Sequence, residues 1–164
     1  MLVRYNLYKE GSYTTESTLT TRWIGPADLK YIETPDAPFW KLMGEMIYGN
    51  RCLGLVNDGE VLSYLWINDK FIEAPGLKKS LRKDECFIYS ARTKPDRRGK
   101  GYSEILRAKC YKILREQGKS IFYSTTDVKN KPALRMKEKI GAELIASYLF
   151  IKIWKFKYLR HEKF

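Results

Sequence analysis

The stretch from Glu85 to Gly118 restricts the fold more than any other part of the chain. Glu85–Thr93 (ECFIYSART) is rich in strand-forming residues, and the polar run Lys94–Gly101 (KPDRRGKG) ends it. From there Tyr102, Leu106, Cys110, Ile113 and Leu114 recur at helical spacing, until Gly118 supplies a stop. A strand feeding through a glycine loop straight into an amphipathic helix belongs in an α/β sheet, where the helix packs back across the strand. The loop also has a chemical use. The first turn of a helix carries unpaired N–H groups and a partial positive charge, and glycines let an anion approach them closely. A bare G-x-G is equally compatible with a tight strand-to-helix turn, so the phosphate motifs must be tested one by one. A Walker loop requires Gly five residues before Gly99 and Ser or Thr after Lys100, but Lys94 and Gly101 stand there. A dinucleotide fingerprint requires a third glycine at position 104, where Glu104 would set a carboxylate beside the phosphates.

The flanking sequence extends the pattern. Pro38–Tyr48 places Phe39, Leu42, Met43, Met46 and Ile47 near one side of a helix. Cys52–Asn57 and Glu60–Ile67 flank Asp58-Gly59, the signature of a tight hairpin. After Gly118, Ser120–Thr125 predicts a strand, Pro132–Ile140 a helix halted by Gly141, and Ala142–Tyr158 a long extended segment. The hairpin implies antiparallel pairing, and the strand-helix-strand-helix-strand order of the second half implies parallel pairing through crossovers. With 164 residues, 44% of them apolar, and no repeat or linker, the expected fold is α/β: a single-domain mixed sheet flanked by helices, over residues 1–164. The C-terminal part, 142–164, contains no Gly, Pro, Asn or Asp after Ala142, and its alternation breaks between Lys152 and Lys155. Either a bulge near Ile153–Lys155 or a long arm that pairs with a second copy would follow, and a homodimer through this arm is the expectation.

Charge is unevenly distributed. Residues 1–76 carry seven Lys/Arg against ten Asp/Glu, and residues 77–164 carry twenty-four against nine. The basic half suits a polyanion, which means either a nucleic-acid backbone or a compact multi-phosphate cofactor. Cys52, Cys86 and Cys110 form no CxxC pair and no ligand cluster with the single histidine, His161, so they read as reduced core thiols with no metal site. No run is long and uncharged enough to span a membrane, and Met1–Tyr5 lacks a signal-peptide layout. A cytoplasmic protein without a membrane partner is expected.

Two spaced motifs carry a resemblance to the GNAT superfamily of N-acetyltransferases. Arg98, Gly101 and Ser103 fill its Gln/Arg-x-x-Gly-x-Gly/Ala signature, with Ser103 a small departure, and Thr93-Lys94-Pro95 resembles the family's strand exit. Downstream, Asn130–Ala142 (NKPALRMKEKIGA) is similar to the family's second block, so that residues 50–145 are covered, the expected CoA-binding core. The resemblance implies a centrally splayed sheet and acetyl-CoA (coenzyme A) as co-substrate. It also implies that the backbone of Arg98, Gly99, Lys100, Gly101, Tyr102 and Ser103 holds the pyrophosphate, helped by the charges of Lys94, Arg97, Arg98 and Lys100. Backbone groups from Ala91 to Thr93 would meet the pantetheine and acyl group, and Asn130 would contact the cofactor or cap its helix.

The implied reaction is direct attack of a primary amine, on a small molecule or a peptide N-terminus, within a ternary complex. Glu85 is the candidate base because it shares a strand face with Phe87, Tyr89 and Ala91, although a strand-start surface residue reads the same way. Tyr89 and Tyr123 are further proton-transfer candidates. Lys137 stands where the family usually has a Tyr acid, and it is either a proton donor or a solvated helix lysine. Trp23, Asp28, Glu33, Asp36, Trp40 and Glu45 form an acidic and aromatic set that could receive a cationic amine. Two other classes stay open: a non-catalytic acyl-CoA-binding domain, and a nucleic-acid-binding module built on the basic half.

Overall fold

The computed structural model describes residues 1–163. Phe164, the last residue of the expected C-terminal segment, lies outside the described residues. Among the described residues, ten strands and three α-helices follow the order β1 (Leu2–Lys9), β2 (Thr20–Ile24), α1 (Phe39–Ile47), β3 (Arg51–Asn57), β4 (Glu60–Asn68), β5 (Phe71–Ala74), β6 (Leu77–Ser80), β7 (Glu85–Thr93), α2 (Tyr102–Glu116), β8 (Ile121–Asp127), α3 (Lys131–Lys139), β9 (Glu143–Ile153) and β10 (Phe156–Lys163). Eight of the strands form one sheet in the order β10-β9-β1-β8-β7-β4-β3-β2, while β5 and β6 pair as a separate hairpin. This is the expected mixed α/β sheet with helices on its faces.

Apolar patterning decides which face each helix covers. On one face, Leu106, Cys110, Tyr111 and Leu114 of α2 are all 1% exposed or less, and they pack on Leu53, Leu55, Leu65, Ile67, Cys86, Ile88 and Phe122 of the strands. Full burial of a leucine contributes about 2 kcal/mol, so this seam fixes the helix and the loop before it. On the other face, Leu42 of α1 joins Leu29 of the preceding 3₁₀ segment, and Ile32 just after it, against Cys52, Val56, Val61, Tyr64 and Trp66. All three cysteines are buried and free, in keeping with core thiols.

The expected parallel pairing is realised once. β7 and β8 pair in parallel, but β8 and β9 do not touch, because β1 inserts between them and pairs antiparallel with both. A strand at the start of the chain therefore completes the second half of the sheet. Beyond β1 the chain turns into the molecule at Glu10 and Gly11. A Cβ on Gly11 would come within 2.5 Å of the Gly141 carbonyl, so only glycine allows the backbone to pass the end of α3 so closely.

One departure from regular pairing creates the site. β7 and β8 hold register only at Glu85, Cys86 and Phe87, facing Ile121, Phe122 and Tyr123. Against β4, Tyr64 faces Arg92 and Trp66 faces Tyr89, so Ser90 and Ala91 together oppose the single residue Leu65. Ser90 takes a left-handed φ of 46° in this bulge. The extra residue bends β7 away from β8 and leaves the two strands splayed beyond Phe87.

The C-terminal segment, expected either to carry a bulge near Ile153–Lys155 or to run on as a long arm, does neither. It folds back on itself, with Phe156 facing Ile153 across a two-residue turn, Trp154-Lys155. Trp154 takes a φ of 53°, a conformation usually left to Gly or Asn, which is why no turn signal stands out. Every position of β10 is exposed, and it is the terminal strand of the sheet.

Candidate active site

The splay opens a cleft of about 1260 Å³ that runs from the glycine loop between β7 and β8 to the segment before α1. Ala91, Thr93, Arg98, Gly99, Gly101, Tyr102, Ser103 and Asn130 all line it. Lys100, the remaining residue expected at the cofactor, is exposed and does not line the cleft.

The glycine loop has the form an anion needs. Gly99 and Gly101 have φ of 77° and 75°, and a Cβ at either would project into open space. The first bond of α2 runs from the Ile105 N–H to the Gly101 carbonyl at 3.1 Å, and no side chain caps the helix. The N–H groups of Tyr102, Ser103 and Glu104 are thus without intrahelical partners, and all three residues line the cleft. An unpaired, positively polarised helix start beside open space is the feature that fits a pyrophosphate.

Of the four cations around the loop, two are already engaged. Lys94 and Arg97 each donate to Glu60 of β4 at 3.0 Å, and the Lys94 hydrogen bond and both nearby cations hold that carboxyl below its ordinary range. Arg98 Nε donates to the Thr93 carbonyl at 3.4 Å, an exposed contact that leaves its terminal nitrogens for a ligand. Asn130 caps α3 by accepting from the Ala133 N–H at 3.2 Å, so the capping role is filled, in a residue that also lines the cleft.

The acid–base expectations meet a different geometry. Glu85 sits at the closed end of β7 and does not line the cleft. Its carboxylate accepts from the Arg82 N–H at 2.8 Å and from the Tyr123 hydroxyl at 3.2 Å, which also occupies Tyr123. Tyr89 does line the cleft, and its hydroxyl donates to Glu45 Oε2 of α1 at 2.6 Å, an oxygen that also accepts from Asn50 at 2.7 Å. Burial, and then the Glu45 carboxylate, push the Tyr89 hydroxyl well above its ordinary value. Tyr64 also lines the cleft; its hydroxyl is buried without a hydrogen-bond partner among the described residues and is raised chiefly by burial. Of the acidic and aromatic set, Glu33 and Asp36 reach the cleft mouth, where Asp36 lies 3.8 Å from Arg92. Trp23 stacks under Arg51, and Asp28 pairs with Arg22, both away from the cleft.

Lys137 is not a solvated lysine. It is 1% exposed, and its ammonium donates to Glu10 and to Ser124. Glu10 also accepts from Arg107 Nη1 at 2.5 and 2.6 Å and from the Tyr111 hydroxyl. Burial alone would raise the Glu10 carboxyl, but Arg107 and Lys137 together overcome it and hold it well below the usual range. The Lys137 ammonium is pushed down by burial and by Arg107, with Glu10 opposing. Sequence patterning carried a faint signal of this cluster: Arg107 falls at i−3, i−4 and i−7 from Cys110, Tyr111 and Leu114, inside the buried stripe of α2.

A glycine loop at a helix start is set here against a sheet that splays at a parallel pair of strands. Residues 20–142 match the model of the acetyltransferase (GNAT) family, and the chain belongs to that family. No curated protein matches the sequence closely enough to count as a relative. Among solved structures, a GNAT-family protein from Novosphingobium aromaticivorans aligns over 99% of this chain and 66% of its own, at 13% identity and a TM-score of 0.66. A GNAT-family acetyltransferase from Colwellia psychrerythraea covers 91% of this chain and 55% of its own, at 14% identity and a TM-score of 0.68. The chain thus spans less than two thirds of the length of either. The PaiA N-acetyltransferase of Thermoplasma acidophilum, solved with coenzyme A, covers 90% of this chain and all of its own, at 11% identity and a TM-score of 0.58. These likenesses are of fold. Among the described residues, no helix is long and apolar enough to cross a membrane.

Proposed function

We propose that this chain is an N-acetyltransferase that moves an acetyl group from acetyl-CoA to a primary amine by direct attack in a ternary complex, in the cytoplasm. The observation that carries the reading is the continuity of one cleft, from the unpaired N–H groups of Tyr102, Ser103 and Glu104 to the splayed edge of β7. The bound donor supplies an activated acyl group as a thioester. The N–H groups at the start of α2 and the terminal nitrogens of Arg98 would hold its pyrophosphate. The bulge at Ser90-Ala91 frees backbone groups of β7 from β8, and these would orient the pantetheine and acyl carbonyl. Glu33 and Asp36 at the mouth would attract the cationic form of the amine.

For the proton that the amine loses, the support favours Tyr89 and Glu45 over Glu85. Tyr89 lies on the cleft wall with its hydroxyl already donating to Glu45, so it can pass that proton on as it accepts another. Tyr64, with an unused buried hydroxyl, is the candidate donor to the oxygen that gains charge. A non-catalytic acyl-CoA-binding domain would share the loop but not need this pair. Free-thiol release from acetyl-CoA with a panel of amines separates the two: release with at least one amine is expected, and binding without release to any of them would favour the binding domain. The unpaired outer edge of β10 supports pairing of two copies along it. A monomeric mass in sedimentation would overturn that part.

A further inference from the structure

Five polar side chains from four parts of the chain meet beneath the cleft: Glu10 after β1, Arg107 and Tyr111 of α2, Ser124 of β8 and Lys137 of α3. The side chains of Glu10, Arg107 and Lys137 are at most 5% exposed. The group holds two cations and one carboxylate, so it buries a surplus positive charge. Burying an ion without a counter-ion is costly, and the pair of Glu10 with Arg107 would have been complete without the lysine. Moreover, Arg107 Nε is buried and has no hydrogen-bond partner among the described residues, although the same guanidinium satisfies Glu10 through Nη1. Arg107 is at the same time part of the cleft wall, with Ser103, Glu104, Thr125 and Met136.

A surplus positive charge in a buried cluster that reaches the wall of a cleft through Arg107 calls for an anion that is present only part of the time. A pyrophosphate at the helix start is not that anion, since Arg107 lies six residues beyond Gly101, about 9 Å along the helix axis. Of the two other centres that carry negative charge in the proposed reaction, the acyl oxygen has Tyr64 as its donor, which leaves the departing sulfur. Resting on that reading of the cleft, we infer that Arg107, backed by Lys137, stabilises the thiolate of coenzyme A as it departs, so that charge takes the place of a proton donor. In this step the neutral amine, its ammonium proton already given up to solvent, bonds through nitrogen to the acyl carbon and the carbon–sulfur bond breaks. Its electron pair stays on sulfur opposite Arg107, and the proton shed by the amine leaves through Tyr89 and Glu45. The other charged groups on this side are Glu104, held to Lys139 at 3.4 Å, and Asp127, which accepts from the Lys129 N–H; across the cleft lie Tyr89 and Arg92. Neither carboxylate belongs to the buried cluster, so the surplus charge there stands.

The test is the titration of the thiol of coenzyme A bound to the intact protein, read by the ultraviolet absorbance of the thiolate, which needs no acceptor and no turnover. The bound thiol should ionise about one to two pH units below free coenzyme A, the effect of one net charge at close range in a partly buried site. Arg107→Gln and Lys137→Met, each reducing the cluster to zero net charge, should raise the midpoint by about a unit. Arg107→Lys, which keeps the charge, should restore it, and Glu10→Gln, which leaves two cations, should lower it further. A merely structural role would weaken coenzyme A binding in every variant without moving the midpoint in opposite directions. If Glu10→Gln does not fold, the contrast between Arg107→Gln and Arg107→Lys carries the same decision. Coenzyme A that binds with an unshifted thiol overturns the inference alone, whereas failure of coenzyme A to bind the natural chain overturns the reading of the cleft beneath it.

Discussion

Replacing Lys137 by Met should make the protein more stable at neutral pH, although the lysine sits in an ion pair. Burial and the neighbouring Arg107 lower the ammonium from its ordinary 10.5 to about 8, despite the pull of Glu10. That difference means the charged lysine disfavours the fold by about 3 kcal/mol at pH 7. Glu10 does gain from the lysine, but it keeps Arg107 and Tyr111 when the lysine is gone, so the substitution leaves a balanced pair rather than an orphaned carboxylate. Methionine fills a similar volume, and Ser124 loses a partner at a cost of about 1 kcal/mol. The net expectation is a gain of about 1 to 2 kcal/mol near pH 7. Because the folded value lies below the unfolded one, the unfolded chain holds more protons between about pH 8 and 10.5, and the natural protein recovers stability as pH rises through this window. The advantage of the variant should therefore shrink by about pH 9.5. Urea unfolding at both pH values, compared at unchanged m, measures the difference, and effects of tyrosines and cysteines common to both proteins cancel. A variant less stable by about 2 kcal/mol at neutral pH would refute the claim that the cluster carries a surplus charge.

Two further outcomes follow from the same geometry. Tyr89→Phe and Glu45→Gln should each lower kcat by about a hundredfold or more with little change in the KM for acetyl-CoA, and a double variant no slower than either single one would mark them as one relay. The low-lying carboxyl of Glu10 contributes stability that is fully present above its unfolded value of 4.5 and is lost as pH falls through its lower folded value, so the gap between the natural chain and Glu10→Gln should close on acidification; a gap independent of pH would show that Glu10 is protonated in the fold.

Local patterning made the framework of the cleft readable. Glu85–Thr93 is a strand with the bounds its β-rich composition suggested, and Gly101 does start α2 with a left-handed φ. What escaped was set by partners distant in sequence. β1 alternates Val3, Tyr5 and Leu7 as a strand should, but nothing local says that it inserts between β8 and β9. Lys137 resembles a solvated residue in the charged helix KPALRMKEK, and its burial depends on Glu10, 127 positions away. Its spacing of i+4 from Ala133 and i−3 from Ile140 was the available hint, since Ile140 is in the core. Glu85 shares the predicted face with Tyr89, yet pairing sets it at the closed end of the splay, a distinction that only the β7–β8 register makes. The final hairpin was hidden because its turn uses Trp154, not a residue suited to a positive φ.

Titration calorimetry of acetyl-CoA into the natural chain and into a chain carrying Arg98→Ala with Gly101→Glu decides whether the cleft from α2 to β7 is an acetyl-CoA site. One acetyl-CoA should bind per natural chain and none to the doubly substituted one, which should stay folded because a side chain at Gly101 meets open space and its left-handed φ costs only about 1 kcal/mol. No binding to the natural chain, or equal affinity in both, would contradict that assignment of the cleft.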